Sequence, residues 1–203
     1  GSYIPKEGKL IVIANHAFGV ADGVSICSVI SKVRQDYKMV THKVLRQADA
    51  VKDKILPIDF NETKEALLTN INTRKEAEKF LKNDGVIILF PSGRIATKKN
   101  LRKYTKADDG DWKQWVSKLI LKTKSPVLPI YFDGQNSQWY HMANKLGLTF
   151  RYSLCMYELK RKIGDDIYMY FGSLISYENL AKIGDIREIT RYLRSITYSL
   201  DPQ

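Results

Sequence analysis

The stretch IVIANHAFGVADG, residues 11–23, predicts how the fold begins. Its first four residues form an apolar, largely β-branched run that is typical of a buried strand. Further along, apolar side chains recur at helical spacing at Ile26, Val29, Ile30, Val33 and Tyr37. We therefore expect a strand, a glycine-containing turn and a helix, with His16 and Asp22 in the turn.

Four further apolar runs predict strands in the rest of the chain. They are KILPIDF at 54–60, VIILF at 86–90, SPVLPIYF at 125–132 and IYMYFG at 167–172. Pro57 favours an edge position for the first of these runs, because proline cannot donate a hydrogen bond to a neighbouring strand.

Helices are predicted between these runs. Thr73 and Glu76 have the spacing of a capping box that begins a helix, and Gly85 is a stop signal. An amphipathic stripe predicts a second helix with Trp112, Trp115, Val116, Leu119 and Ile120. The segment 136–147 suggests a short helix, and Asp185 with Glu188 begins the last one. The alternation predicts an α/β fold with a central mostly parallel or mixed sheet flanked by helices.

Length and composition limit the possible classes of protein. We expect residues 3–203 to form a single domain, with Gly1 and Ser2 a remnant of cloning and the natural protein extending further upstream. No apolar run approaches the ~20 residues that span a bilayer. Cys27 and Cys155 match no metal or redox spacing, so we expect reduced core thiols and no metal site.

The chain is strongly basic. Thirty-three Lys and Arg residues against 22 Asp and Glu residues give a net charge of +11. Part of this surplus is concentrated in RIATKKNLRKYTK, residues 94–106, which contains no acid. Such a surplus suits an anionic partner, namely a nucleic acid, an anionic membrane surface or an acidic carrier protein, or it serves solubility alone.

His16 and Asp22 form a candidate catalytic pair. In parallel sheets, functional groups gather at the carboxyl ends of strands, where the chain places Asn15 and His16, FPSGR at 90–94 and FDGQNS at 132–137. If the two side chains meet, Asp22 fixes the imidazole tautomer and leaves the other ring nitrogen as a base. The alternative is that Asp22 simply caps the helix while His16 lies exposed in the turn. Without a Gly-x-Ser-x-Gly motif, the base would act directly on substrate.

These motifs resemble those of the lysophospholipid and glycerolipid acyltransferase family. NHAFGVADG resembles its first signature, an Asn-His with a downstream Asp, and LFPSGR resembles its second, Phe-Pro-Glu-Gly-Thr-Arg. LPIDF falls where the family has another short block, and SPVLPIYFDGQNS resembles its late proline-containing strand. The sequence departs from the family pattern in two ways. Five residues, instead of four, separate His16 from Asp22, and Ser92 replaces the glutamate of the second signature. Both departures resemble the hemolysin-like branch, which includes acyltransferases of ornithine lipid synthesis.

The resemblance implies an O-acyltransferase with the family's fold and with His16 and Asp22 as a general-base pair. The acyl chain would pass from a thioester of acyl carrier protein or CoA to the hydroxyl of a lysolipid, of lysophosphatidic or lyso-ornithine type, without an acyl-enzyme or a cofactor. Site residues assigned on this basis are Asn15 and Gly93 for oxyanion binding or positioning, and Ser92, Arg94, Lys98 and Lys99 for the acceptor's anionic group.

The resemblance also implies a peripheral protein at the cytoplasmic face of a membrane, attracted to an anionic surface, and no nucleic acid is expected as a partner. Two alternatives remain open from the sequence. One is a lipid ester hydrolase on the same scaffold, with His16 activating water. The other is a non-catalytic basic module that binds membranes or nucleic acid, although RIATKKNLRKYTK contains only one aromatic residue, Tyr104.

Overall fold

The computed structural model describes residues 3–47, 49, 51–98, 105–143 and 148–202, and side chains throughout these ranges except at 143 and 148–153. Its strands are β1 Leu10–Ala14, β2 Tyr37–His42, β3 Ile55–Ile58, β4 Val86–Leu89, β5 Val127–Phe132 and β6 Met169–Phe171. Its helices are α1 Val20–Ser31, α2 Lys64–Lys82, α3 Trp115–Thr123, α4 Gln138–Ala143, α5 Leu148–Arg161, α6 Tyr177–Ala181 and α7 Ile186–Tyr198. Two short 3-10 helices, Lys43–Gln47 and Lys52–Lys54, lie between β2 and β3.

The six strands form one mixed sheet in the order β3-β2-β4-β1-β5-β6. All neighbouring pairs are parallel except β5 and β6, which are antiparallel. This confirms the predicted α/β fold with a mostly parallel sheet. Because β4, β1 and β5 are adjacent, their carboxyl ends meet at one edge of the sheet, as the polar residues after these strands predicted.

The central strand β1 is buried on both faces. Ile11 and Ile13 pack into a core with α2, α3 and α7, whereas Leu10, Val12 and Ala14 pack into a second core with α1. A strand covered by helices on both sides needs apolar residues at every position, which explains the unbroken run IVIA.

Three of the predicted helix boundaries are wrong. α1 ends at Ser31, so Val33 and Tyr37 have helical spacing by chance, although both still pack into the core. Tyr37 instead begins β2, a strand that the sequence did not predict. α3 begins at Trp115, so Trp112 precedes it, although both positions contribute to the same core. The long helix α5 was also not predicted.

The third wrong boundary concerns α2, which begins after Thr63 rather than at Thr73. Thr63 is the N-cap and accepts a hydrogen bond from the Ala66 N–H, whereas Thr73 lies in mid-helix and donates its hydroxyl to the Pro57 carbonyl. Asn70, on the same helix, both donates to and accepts from the backbone of Asp59. α2 thereby covers the outer side of β3, which is an edge strand as Pro57 predicted.

Arg34 joins three segments at the amino ends of the strands, opposite the end of the sheet that holds His16. Its guanidinium is buried and donates to the carbonyls of Gly8 and Asp84, which precede β1 and β4, and to the carboxylate of Asp36, which precedes β2. The hydrogen bonds from Arg34 to the Asp36 carboxylate lower the pKa of Asp36. One side chain therefore fixes where three neighbouring strands begin.

We expect Arg34→Lys to lower the free energy of unfolding by about 2–4 kcal/mol, because an ammonium cannot donate in these three directions at once and would leave a buried charge with fewer hydrogen bonds. Urea denaturation measures the change. Arg191→Lys, at an exposed pair with Glu188, is the control and should change stability little. The stability that the Arg34–Asp36 pair contributes should be present above the ordinary carboxyl pKa of about 3.9. It should be lost as the pH falls through the lowered pKa of Asp36. Equal stability of the two variants would contradict the prediction.

Candidate active site

His16 and Asp22 are in contact at the carboxyl end of β1. The distance between His16 Nδ1 and Asp22 Oδ2 is 2.9 Å. Gly19 makes this contact possible, since its φ of 88° reverses the chain between the two residues in a conformation that favours glycine. A Cβ at Gly19 would also lie 2.6 Å from Ile95 Cδ1. The predicted turn is confirmed, and the side-chain contact that the sequence left open is present.

The Asp22 carboxylate is fully buried in the first turn of α1. The oxygen that contacts His16 also accepts hydrogen bonds from the N–H groups of Phe18, at 2.9 Å, and Gly19, at 3.0 Å. The helix N-terminus further favours a negative charge at this position. Asp22 therefore satisfies the helix terminus and contacts His16 at the same time, so capping and pairing are not alternatives here.

The His16 ring is held on several sides. It stacks on Phe90, which follows β4, with ring centroids 4.2 Å apart and an interplanar angle of 21°. Because a carboxylate only accepts hydrogen bonds, the contact with Asp22 places the proton on Nδ1 and leaves the lone pair on Nε2. The His16 carbonyl accepts from Ala96 N–H at 2.7 Å, which fixes the backbone below the ring.

Asp109 is a positioning residue that the sequence did not predict. Its buried carboxylate accepts from the His16 N–H at 3.3 Å, from the Trp112 indole at 3.3 Å and from the Tyr198 hydroxyl at 2.7 Å. Burial raises the pKa of this carboxyl. Asp109 thus connects the backbone of His16 to Tyr198 of α7. His16 lies 93 positions before Asp109 in the sequence, and Tyr198 lies 89 positions after it. The segment ADDGDW, residues 107–112, carries no local signal for this role.

Asn15 joins β1 to β5. Its amide nitrogen donates to the Phe132 carbonyl at 3.0 Å and its oxygen accepts from the Phe132 N–H at 2.7 Å. Both polar atoms of the side chain are therefore used between the strands. This arrangement fits the positioning part of the predicted role, since it fixes the residue that precedes His16.

The turn after β4 contains Ser92, Gly93 and Arg94. The Ser92 hydroxyl is buried and donates to the Arg94 carbonyl, and the Gly93 N–H donates to the Phe90 carbonyl at 3.0 Å. Gly93 has a φ of 68°. These groups are used within the turn, and their predicted roles toward substrate stay predictions.

The predicted cations differ in exposure. Arg94 is exposed, donates from Nε to the Asp109 carbonyl at 3.1 Å and packs over Gly110. Lys98 is buried. Within the described ranges neither Arg94 nor Lys98 forms an ion pair with a carboxylate. Lys99 lies outside the described residues, as do Arg102, Lys103 and Tyr104.

A cavity of about 690 Å³ opens beside His16. We call it the α1 cavity, because one wall is the face of α1 that runs from Gly19 to Ser31. The other lining residues come from β2 and the 3-10 segments that follow it, from the ends of β1 and β4, and from α5; they include Tyr37, Met39, Thr41, His42, Val44, Leu45, Val51, Phe90, Ile95, Cys155 and Met156. The sequence did not predict this cavity.

The α1 cavity is predominantly apolar and disfavours charge. Burial raises the pKa of the Cys27 thiol to about 11, and burial also lowers the pKa of His42. Both groups are therefore neutral near pH 7. Among the described lining residues, the one lysine is Lys54, whose ammonium lies over the Tyr37 ring at 4.7 Å. Such a surface suits an aliphatic chain rather than an ionic ligand.

Two larger-scale features bear on the class of protein. Across the parts of the chain that the structure describes, no helix has both the length and the apolar character needed to span a bilayer. In the same parts, no group of three or more His, Cys, Asp or Glu residues is placed to hold a metal ion.

Comparison with known proteins identifies the family. The sequence model of the family described as Acyltransferase matches residues 3–203. The chain is 25% identical over 213 residues to the lyso-glycine lipid O-acyltransferase of Bacteroides thetaiotaomicron, with 97% of this chain and 72% of that protein covered. It is 22% identical over 207 residues to the lyso-glycine lipid O-acyltransferase of Phocaeicola vulgatus, with 97% and 70% covered.

These matches agree with the resemblance that the motifs around His16 and Ser92 indicated. They favour an enzyme over the non-catalytic basic module that the net charge left open. Because the family match extends over nearly the whole chain, the protein belongs to the acyltransferase family.

Proposed function

We propose that this acyltransferase moves a fatty acyl chain from an acyl thioester to the hydroxyl of a lysolipid, with His16 as the general base. The observation that carries the proposal is the His16–Asp22 pair, 2.9 Å apart, at the opening of an apolar cavity. A base beside an aliphatic site suits a reaction in which a proton is removed next to a long acyl chain.

In the proposed reaction, Nε2 of His16 accepts the proton of the acceptor hydroxyl as its oxygen attacks the thioester carbon. The tetrahedral intermediate then collapses, the C–S bond breaks, and the leaving thiol takes the proton back from the imidazolium. Asp22 stabilises the imidazolium between these two steps. The products are an ester and a free thiol, and the enzyme returns to its starting state without a covalent intermediate.

The α1 cavity supplies a site for an aliphatic chain. The face of α1 from Gly19 to Ser31 extends roughly 18 Å from the His16 end, at 1.5 Å per residue. The predominantly apolar lining favours burial of methylene groups, at about 0.8 kcal/mol each. We place the transferred acyl chain here, with its thioester carbon at the His16 end.

The acceptor proposal comes from the relatives and from Arg94. Both relatives are named for a lyso-glycine lipid. Glycine has a carboxyl group, which is ionised near pH 7 when it is not esterified. Arg94 is exposed, follows β4 at the same sheet edge as His16 and has guanidinium N–H groups beyond the one donated to Asp109. A guanidinium binds carboxylate or phosphate in a bidentate manner. The donor, acyl carrier protein or CoA, and a peripheral position at the cytoplasmic face of a membrane remain part of the proposal.

We expect His16→Ala to lower turnover by about 10²–10⁴-fold, the usual contribution of a general base. Asp22→Asn should also cause a large loss, because an amide can donate to Nδ1 and reverse the imidazole tautomer. The assay follows a radiolabelled acyl thioester and a lysolipid, and separates diacyl lipid from free fatty acid. If Asp22 served only the helix terminus, Asp22→Asn would keep full activity. Release of fatty acid without diacyl lipid in the wild type would instead favour the hydrolase alternative.

A substitution inside the α1 cavity should change selectivity for chain length. Cys27→Trp places an indole along the cavity wall, so turnover with long acyl donors should fall at least tenfold while short donors are retained. Competition between donors of different length measures the ratio. Lys32→Trp is the control, because Lys32 is exposed at the end of α1 and does not line the cavity. An unchanged ratio in Cys27→Trp would place the acyl chain elsewhere.

Removal of the Arg94 charge should weaken acceptor binding selectively. We expect Arg94→Gln to raise the KM for the lysolipid about 10–100-fold, as for loss of a charged hydrogen bond, with the KM for the acyl donor unchanged. Steady-state kinetics with each substrate varied in turn gives both values. Arg46→Gln, in the 3-10 helix after β2, is a charge-matched control. A change in the donor KM alone would assign Arg94 to the thioester instead.

A further inference from the structure

The outer surface of α4 and α5 is unusually apolar for a part of the protein exposed to solvent. Trp139 in α4 is 68% exposed. Ile163, two positions after the end of α5, is 77% exposed. Together with these two, Met142, Met156 and Tyr157 are exposed apolar side chains among the described residues of this surface. We call these five residues the α4–α5 face.

The inner sides of the same helices hold the face in its outward orientation. The Glu158 carboxylate is buried and accepts hydrogen bonds from the backbone N–H and the hydroxyl of Ser137, which precedes α4. Tyr140 is fully buried, and its hydroxyl lies 3.9 Å from Cys155 Sγ. The buried contacts leave the five apolar side chains pointing away from the protein interior.

The α4–α5 face adjoins the opening of the α1 cavity. Met156 belongs to the face and also lines the cavity, next to Cys155. Three further cavity-lining residues are exposed, namely Val24, Val44 and Val51, so the rim of the opening is apolar as well. Met156 therefore connects the face to the apolar rim of the cavity.

Cations lie beside the apolar residues. Lys160 and Arg161 are exposed at the end of α5, one helical turn after Met156 and Tyr157. The distance from Arg161 Nη1 to Glu158 Oε1 is 3.8 Å, which is long for an ion pair, and the guanidinium lies over the Tyr157 ring. Exposed tryptophan, tyrosine and aliphatic side chains flanked by Lys and Arg are typical of surfaces that lie in the interface of an anionic bilayer.

We propose that the α4–α5 face docks on an anionic lipid bilayer, and that the α1 cavity then opens toward the acyl region of the membrane. The inference rests on the proposed function, in that a lysolipid acceptor resides in a membrane. A bilayer fits better than a carrier protein, because the apolar residues outnumber the cations and extend to the cavity rim. The net charge of +11 also favours an anionic partner.

Sedimentation with vesicles tests the docking. The quadruple variant Trp139→Ala, Met142→Ala, Tyr157→Ala and Ile163→Ala should bind vesicles of phosphatidylglycerol and phosphatidylcholine at least tenfold more weakly than the wild type. The matched control is Leu67→Ala with Leu68→Ala, two exposed leucines of α2, which packs on the opposite face of the sheet. All substituted side chains are exposed, and circular dichroism verifies that both variants fold.

Two further measurements define the interaction. Lys160→Gln with Arg161→Gln should weaken binding about fivefold per charge on phosphatidylglycerol vesicles and leave binding to pure phosphatidylcholine unchanged. Wild-type tryptophan fluorescence should shift to shorter wavelength on vesicles, and Trp139→Phe should abolish the shift, since Trp112 and Trp115 lie in the core on the other side of the sheet.

Activity separates this inference from the proposed function. The quadruple variant should lose turnover on a lysolipid embedded in vesicles and keep it on the same lysolipid dispersed in detergent. Vesicle binding is measured without acyl donor, so an inactive wild type would refute the acyl transfer and still leave the docking testable. Vesicle binding equal to wild type in the quadruple variant would overturn the docking. If the quadruple variant also lost binding to purified acyl carrier protein, the face would be assigned to the carrier protein instead of the bilayer.

Discussion

A single carboxylate oxygen organises the site. Oδ2 of Asp22 receives hydrogen bonds from two backbone N–H groups and from the imidazole of His16. The first two belong to the turn that begins α1, so the geometry of the helix terminus determines where the imidazole points. Local backbone structure and the proposed chemistry therefore depend on the same atom, and neither can be altered without the other.

α1 also connects the proposed base to the proposed acyl site. Its first turn holds Asp22, and its length from Gly19 to Ser31 forms one wall of the α1 cavity. A rigid helix keeps the distance between base and chain site constant, which is the condition for holding a thioester carbon near an attacking oxygen. The close approach of α1 to the sheet depends on Gly23, where a Cβ would lie 3.2 Å from Met39 Sδ.

The sequence predicted what depends on neighbouring residues. The strand β1 and the turn at Gly19 follow from apolar periodicity and glycine within 13 residues. The residue pattern left the contact between His16 and Asp22 open, and the family resemblance indicated it. Apolar periodicity failed where it was accidental, as with Tyr37. The capping-box signature failed at Thr73, because its hydroxyl has a tertiary partner, the Pro57 carbonyl. The role of Asp109 could not be predicted because His16 and Tyr198, which it connects, are distant from it in sequence. The α1 cavity is formed by four separate segments and leaves no continuous pattern.

The contacts at β3 have a consequence for behaviour at high concentration. An exposed edge strand offers unpaired N–H and C=O groups to another chain and is a common starting point for aggregation. At this edge Pro57 has no N–H, its carbonyl accepts from Thr73, and the backbone of Asp59 is occupied by Asn70. A foreign strand would find no free partner at these two residues. α2 therefore protects the sheet against intermolecular β-pairing on this side, a safeguard of value to a protein that also exposes apolar surface.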